Sequence, residues 1–225
     1  MKEKEKESVI KFVDLSFAYP SRDYIFKKLN FNFFKGERIG LVGLNGSGKT
    51  TLFHLIMGLL NPSGGKIEIF RKERKVENDF VEVRERIGLL FQDPDDQLFS
   101  PTVAEDIAFG PLNLRKNHQE TKKILKETLE TLGLAGFEDR ITYNLSYGEK
   151  RLVSLATVWA MQPEILLLDE PTIWLDEGTI EKIVQILNSH PHLSYIIISH
   201  DKKFLKETTN CTYLMDNGKI KIKKR

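Results

Sequence analysis

An α/β fold is predicted: a core sheet of mostly parallel strands, an antiparallel β-subdomain and an inserted α-helical subdomain. Three observations carry that prediction. Short apolar runs fit for buried strands recur along the chain: RIGLV (38–42), IGLLF (87–91), EILLLDE (164–170) and YIIIS (195–199). Residues 9–34 instead alternate apolar and polar positions, as an antiparallel sheet with one covered face requires. Between about 93 and 162 strand signals give way to helical spacing.

The elements follow in order. Residues 1–8 (MKEKEKES) form a charged, solvated start. VIKFVDLSFAY and IFKKLNFNFF are the antiparallel strands. RIGLV leads into a glycine-rich turn, and residues 49–60 read as a helix closed by Asn61-Pro62 and Ser63-Gly64-Gly65. Residues 71–86, heavily charged with scattered Val and Phe, read as a solvated hairpin or helix face. After IGLLF come helices at 102–109, 119–132 and 149–161, the second with Leu125, Leu129 and Leu132 as an apolar stripe. A helix at 179–188 separates the last two core strands, and Asp216-Asn217-Gly218 turns a final hairpin. The whole reads as one domain, 1–225, with the helical subdomain inserted at about 93–162.

Composition narrows the function classes. Forty per cent apolar residues in a chain of 225 support a proper core. The 34 basic and 32 acidic side chains nearly cancel, so no global nucleic-acid footprint exists. A single cysteine, Cys211, rules out an intrachain disulfide and suits a reducing cytosol. The start lacks the apolar region of a signal peptide, and no run approaches the roughly 18 apolar residues of a membrane span. Any membrane role therefore runs through a partner. The basic end KIKIKKR reads as a solvated edge strand.

Chemistry enters at Gly43-Leu44-Asn45-Gly46-Ser47-Gly48-Lys49-Thr50, which fits G-x-x-x-x-G-K-[ST] between a strand and a helix. Its glycines let backbone N–H groups converge on a phosphate at a helix N-terminus. Lys49 reaches the β- and γ-phosphates and the Thr50 hydroxyl ligates Mg²⁺. In Ile165-Leu166-Leu167-Leu168-Asp169-Glu170 an apolar strand ends in two carboxylates. Asp169 at its tip can hold Mg²⁺, and Glu170 can act as general base on a water. Residues 144–156, NLSYGEKRLVSLA, begin a helix with a capping box from Ser146 to Glu149. Gly148 in that first turn costs about 1 kcal/mol relative to Ala, which makes sense where something must approach the backbone closely, and a phosphate is the expected visitor.

Taken together, GLNGSGKTT (43–51), Gln92, LSYGE (145–149), LLLDEPT (166–172), WLD (174–176) and His200 resemble, in that order, the ATP-binding subunits of ABC transporters. The resemblance covers nearly the whole chain. It implies an ABC-type nucleotide-binding domain on a P-loop core, with ATP and Mg²⁺ as ligands. It extends the phosphate site to Thr51 and assigns Tyr19 to adenine stacking, although a strand tyrosine by itself reads as packing. Gln92 would sense Mg²⁺ and the attacking water, and His200 would contact the γ-phosphate. Ser146 and the Gly148 backbone would cover the ATP held by a second ATPase subunit, and Asp176 would communicate across that dimer. Tyr147 and Glu149 depart from the usual Gly and Gln. His54, His118, His190 and His192 read as structural or surface residues.

One stretch, FQDPDDQLFSPTVAEDIAFGP (91–111), resembles the ATPases of energy-coupling factor importers, which take up vitamins or cobalt and nickel ions. That resemblance implies a peripheral location on the cytoplasmic face of the membrane and a second ATPase, identical or paralogous. It also implies a transmembrane coupling protein and, indirectly, a substrate-binding membrane protein. Asp93, Asp95 and Asp96 are the expected contacts to the coupling protein, by pairing with its arginines. The competing reading is a soluble ABC-type ATPase acting on nucleic acid or ribosomes; the long coiled-coil insertions or second nucleotide domain common in those proteins are absent.

Overall fold

A computed structural model describes residues 7–223. Residues 1–6 of the expected charged start, and the last two residues of the basic tail, lie outside the described residues. The chain begins β1 (Ser8–Ala18), β2 (Tyr24–Phe34), β3 (Arg38–Val42), α1 (Lys49–Ile56), β4 (Gly64–Ile69) and β5 (Lys72–Arg74). It continues through α2 (Glu77–Arg86), β6 (Ile87–Leu90), α3 (Val103–Asn113), α4 (His118–Leu132) and α5 (Tyr147–Ala160). It closes with β7 (Ile165–Asp169), α6 (Glu177–Ser189), β8 (Ser194–Ile198), α7 (Lys202–Thr208), β9 (Cys211–Asp216) and β10 (Lys219–Lys223).

Two sheets form. The antiparallel one has the order β2-β1-β4-β5. The other runs β10-β9-β3-β8-β7-β6, parallel except for the β9–β10 hairpin at its edge. Asn217 and Gly218 both take positive φ in that hairpin's turn, as an Asn-Gly primed turn requires. The central strands have both faces covered, which explains their unbroken apolar runs. Along β7, Ile165 and Leu167 point into one core with Leu41, Leu52 and Phe53, while Leu166 and Leu168 point into a second with Val153, Leu155 and Phe204. Each such Leu or Ile contributes about 1.5–3 kcal/mol by burial.

Two expectations need correction. The helix after the glycine-rich turn ends at Ile56 rather than at 60, because Gly58 takes φ 68° and packs against the Phe80 ring, which lies 2.3 Å from where a Cβ would sit. Gly64-Gly65, expected as part of a closing turn, instead opens β4. Residues 71–86 hold both elements that had been alternatives, the short strand β5 and the helix α2. Within 93–162 the strand content of the described residues is one isolated bridge, Thr102 to Ile141.

Candidate active site

The C-terminal ends of β3, β6, β7 and β8 converge, and a loop follows each. There the polypeptide encloses a cleft of about 650 Å³ lined by Tyr19, Lys49, Thr50, Gln92, Glu170 and His200 among others. Ligand sites at the carboxyl ends of parallel strands are the rule in open α/β sheets. The loop after β3 supplies the glycines. Gly46 and Gly48 take φ 78° and 101°, and Gly48 caps α1 with no side-chain hydrogen bond, so the first N–H groups of the helix stay available. Asn45, Gly46, Gly48 and Thr51 line the cleft as expected. Gly43 and Ser47 lie behind it: a Cβ on Gly43 would fall 2.8 Å from Ser47 Oγ and 2.4 Å from the Met215 carbonyl oxygen. Ser47 Oγ is buried with no hydrogen-bond partner among the described residues.

Lys49 is 8% exposed, and its ammonium donates to the Gly43 and Leu44 carbonyls at 2.9 and 3.0 Å. One of its three donors remains for a phosphate. Desolvation lowers its pKa, opposed by the charges of Glu170 and Asp169. Thr50 Oγ1 donates to Asp169 Oδ2 at 2.6 Å, which brings together two of the three expected metal residues, and Gln92, the third, lines the same cleft. A hydroxyl and one carboxylate, completed by phosphate oxygens and water, make a hard-oxygen set suited to Mg²⁺. Burial raises the carboxyls of both Asp169 and Glu170 above their ordinary range. Glu170 sits at φ 49°, accepts the His200 N–H at 3.3 Å and faces His200 Nε2 at 3.5 Å. A bulky residue held in that region signals strain that the surrounding structure enforces. Tyr19 reaches the cleft edge, its ring edge-on to Phe17 and its hydroxyl 3.3 Å from Thr51 Oγ1.

Ser146, Gly148 and Asp176 do not join this cleft. Ser146 caps α5, with its N–H donating to Glu149 Oε2 at 2.8 Å and its Oγ accepting from the Glu149 N–H at 3.3 Å. The capping box is therefore present. Gly148 has an intrachain reason that sequence reasoning missed: a Cβ there would stand 2.9 Å from the Trp174 carbonyl oxygen. Asp176 caps α6 through the Thr179 N–H at 3.0 Å. The three carboxylates after Gln92 diverge. Asp93 and Asp96 face a cleft shared with Tyr147 and His54, while Asp95 accepts from Lys150 at 2.6 Å beside Tyr143.

Comparisons with known proteins agree with this fold. The family model described as ABC transporter matches residues 26–173. The chain belongs to the ABC transporter family. It is 42% identical over 215 residues to the energy-coupling factor transporter ATP-binding protein EcfA of Methanocaldococcus jannaschii, covering 94% of this chain and 77% of that protein. With the protein of the same name from Methanothermobacter thermautotrophicus it shares 39% identity, over 94% of this chain and 69% of that one. Among solved structures, cbiO1 of Clostridium perfringens, part of the ABC transporter complex cbiONQ, superposes with a TM-score of 0.83 at 33% identity, covering 96% and 88% of the two chains. The dimeric ABC transporter cassette MJ0796 gives 0.85 at 25% identity, covering 96% and 98%. The chain is thus an ABC ATPase, the ATP-hydrolysing kind of transporter subunit, with the α/β, antiparallel and helical parts that fold comprises. ABC ATPases pair and work with transmembrane components, and no helix among the described residues is long and apolar enough to cross a membrane.

Sequence reasoning did not single out Arg22 and Asp23, which line the same cleft as Tyr19. Nor did it mark Arg151, which is 1% exposed and bonded to the loops that carry Gln92 and Glu170. A basic residue on a helix reads as solvated, and only the tertiary structure shows otherwise.

Proposed function

We propose that this ABC ATPase powers a membrane importer of the energy-coupling factor type, acting from the cytoplasmic face as a peripheral subunit. The observation that carries the proposal is the stretch 91–111, in a chain whose relatives at about 40% identity bear that name. In this chain it forms one wall of an apolar groove, from Phe91 onward. Phe99 and Phe109, both exposed, meet there edge-to-face at 4.8 Å, near Leu59 and Met161. An exposed aromatic pair in a groove is the kind of surface a partner helix covers. The Asp93–Asp96 turn stands at the start of this stretch and would engage arginines of the coupling protein.

In the reading we favour, Lys49 and the N–H groups opening α1 hold the nucleotide phosphates, and Tyr19 supports the adenine. Thr50 and Asp169 would hold Mg²⁺, which supplies charge neutralisation on the phosphates. Glu170 takes a proton from the attacking water while His200 and Gln92 fix its surroundings. A second ATPase subunit would present its own Ser146 and Gly148, or their equivalents, to the same phosphates. That arrangement is consistent with the absence of both residues from their own chain's cleft.

Reversing Asp95 and Asp96 to Lys, with the chain co-expressed with its coupling protein, tests the partner role. Loss of co-purification from mild detergent, with the ATP affinity of the isolated chain retained, is expected. Restoration by Arg→Glu in the partner would fix the contact. Undiminished assembly and transport by the double variant would remove the acidic turn from the interface.

A further inference from the structure

Arg151 is the largest fully buried side chain of the molecule's described residues, in the first turns of α5. Its guanidinium donates to four main-chain carbonyls on two different loops. One terminal nitrogen bonds the carbonyls of Phe91 and Gln92, the latter at 3.2 Å. The other bonds those of Asp169 and Glu170, the latter at 2.7 Å. The planar fork therefore spans the two loops that carry Gln92 and Glu170, from the helix that begins at Ser146.

Stability alone is a poor explanation for such a group. Desolvation lowers its pKa to about 10, and its Nε–H finds no partner among the described residues. A buried charged network as a whole can often be replaced by well-packed apolar residues without loss of stability, although removing the guanidinium alone would strand the four carbonyls it serves. The nearby carboxylates of Asp169, Glu170 and Asp93 offset part of that penalty, and the first two line the active-site cleft itself. Tyr147, four positions earlier on the same helix, adds a weaker strut: its hydroxyl donates to Asp93 at 3.4 Å.

We propose that Arg151 is a positioning residue that links each chain's own nucleotide cleft to its own Ser146 loop. Nucleotide settling against Gln92, Asp169 and Glu170 shifts their main chain, and the fork passes that shift to the head of α5. The loop offered to the partner's nucleotide thereby reports on the nucleotide held at home. Lysine cannot replace it, because a single ammonium is a point donor and cannot span both loops in a fixed plane. The inference rests on the roles proposed for Gln92 and Glu170, but its test does not depend on their chemistry.

The test is hydrogen–deuterium exchange at residues 145–151 of the full chain, with and without MgATP, at two protein concentrations. It compares wild type with Arg151→Lys and with Val153→Ala, a truncation in the core on the same helix. In wild type, MgATP is expected to alter exchange at 145–151 independently of protein concentration. Arg151→Lys should abolish that change while keeping MgATP affinity within about twofold, and turnover should fall about 10–100-fold from the misplacement of Glu170. Val153→Ala should keep the nucleotide-linked change even where it lowers the melting midpoint. The proposal is overturned by a wild-type change that is absent or appears only at high concentration, by its survival in Arg151→Lys, or by its loss in Val153→Ala. If Arg151→Lys does not fold, Arg151→Gln, which keeps a planar donor on a neutral side chain, is measured in the same way. Retention of the change in Arg151→Gln counts against the fork. Normal turnover in a Glu170→Gln protein would instead strike at the assignment of Glu170 and leave this exchange result standing.

Discussion

Glu170→Gln separates binding from chemistry. The substitution is nearly isosteric, and the amide oxygen can still accept the His200 N–H that Glu170 receives at 3.3 Å. What disappears is basicity. A general base contributes about 10²–10⁴ in rate, or roughly 2.7–5.4 kcal/mol of barrier at 1.36 kcal/mol per decade. Phosphate release should fall by that factor while nucleotide titration gives an unchanged affinity. Stability should not follow turnover down. Burial raises the Glu170 carboxyl in the folded protein, so its contribution is fully present below the unfolded carboxyl pKa. That contribution is lost as pH rises through the folded pKa. At neutral pH the wild type therefore carries the cost of an ionised buried carboxylate and the glutamine variant does not. Its melting midpoint should equal or exceed the wild-type value. By the same shift, the wild-type rate should decline on acidification at a pH above the ordinary carboxylate range, since the base must be deprotonated. Turnover comparable to wild type would refute the assignment of Glu170 as base. A large fall in nucleotide affinity would refute the separation of roles.

Two further perturbations probe the rest of the site. In a complex that pairs this chain with a different ATPase, Lys49→Ala should impair nucleotide trapping at this chain's cleft, and Ser146→Arg should impair it at the partner's; loss at the same cleft in both would contradict the trans arrangement. Gly148→Ala should lower the melting midpoint, because a methyl 2.9 Å from the Trp174 carbonyl oxygen costs about 1–3 kcal/mol of overpacking against a propensity gain of about 1 kcal/mol. An unchanged or raised midpoint would show that the α5 head and the Trp174 loop are not in firm contact.

The parts of this molecule that local chemistry dictates were readable in one dimension. The apolar runs of β3, β6, β7 and β8 read as buried strands, and each ends at or just before a residue expected at the site: the phosphate loop, Gln92, Asp169-Glu170 and His200. The capping box of α5 was likewise local, and it is formed. What escaped was set by contacts between distant segments. The early end of α1 depends on Phe80 lying against Gly58. The divergence of Asp93, Asp95 and Asp96 depends on Lys150 and Tyr147. Arg151 looked like any cation on a helix.

The departures from the family pattern show the same limit at closer range. Read alone, Tyr147 in place of glycine is an anomaly at the head of a phosphate-facing loop. In the folded chain its ring packs edge-on to Trp174 at 5.9 Å, and Trp174 holds φ 65°, a conformation that favours glycine. Its hydroxyl meets Asp93, and the carbonyl of the same Trp174 fills the space beside Gly148. Tyr147 thus joins three loops: the turn after Gln92, the start of α5 and the segment leading to Asp176. An aromatic pair can contribute about 0.5–1.5 kcal/mol beyond its buried area, comparable to the strain of one left-handed residue. The bulky tyrosine and the strained tryptophan therefore make sense as a pair. Each is a local inconsistency that the other offsets, so neither could be interpreted before the fold placed them in contact.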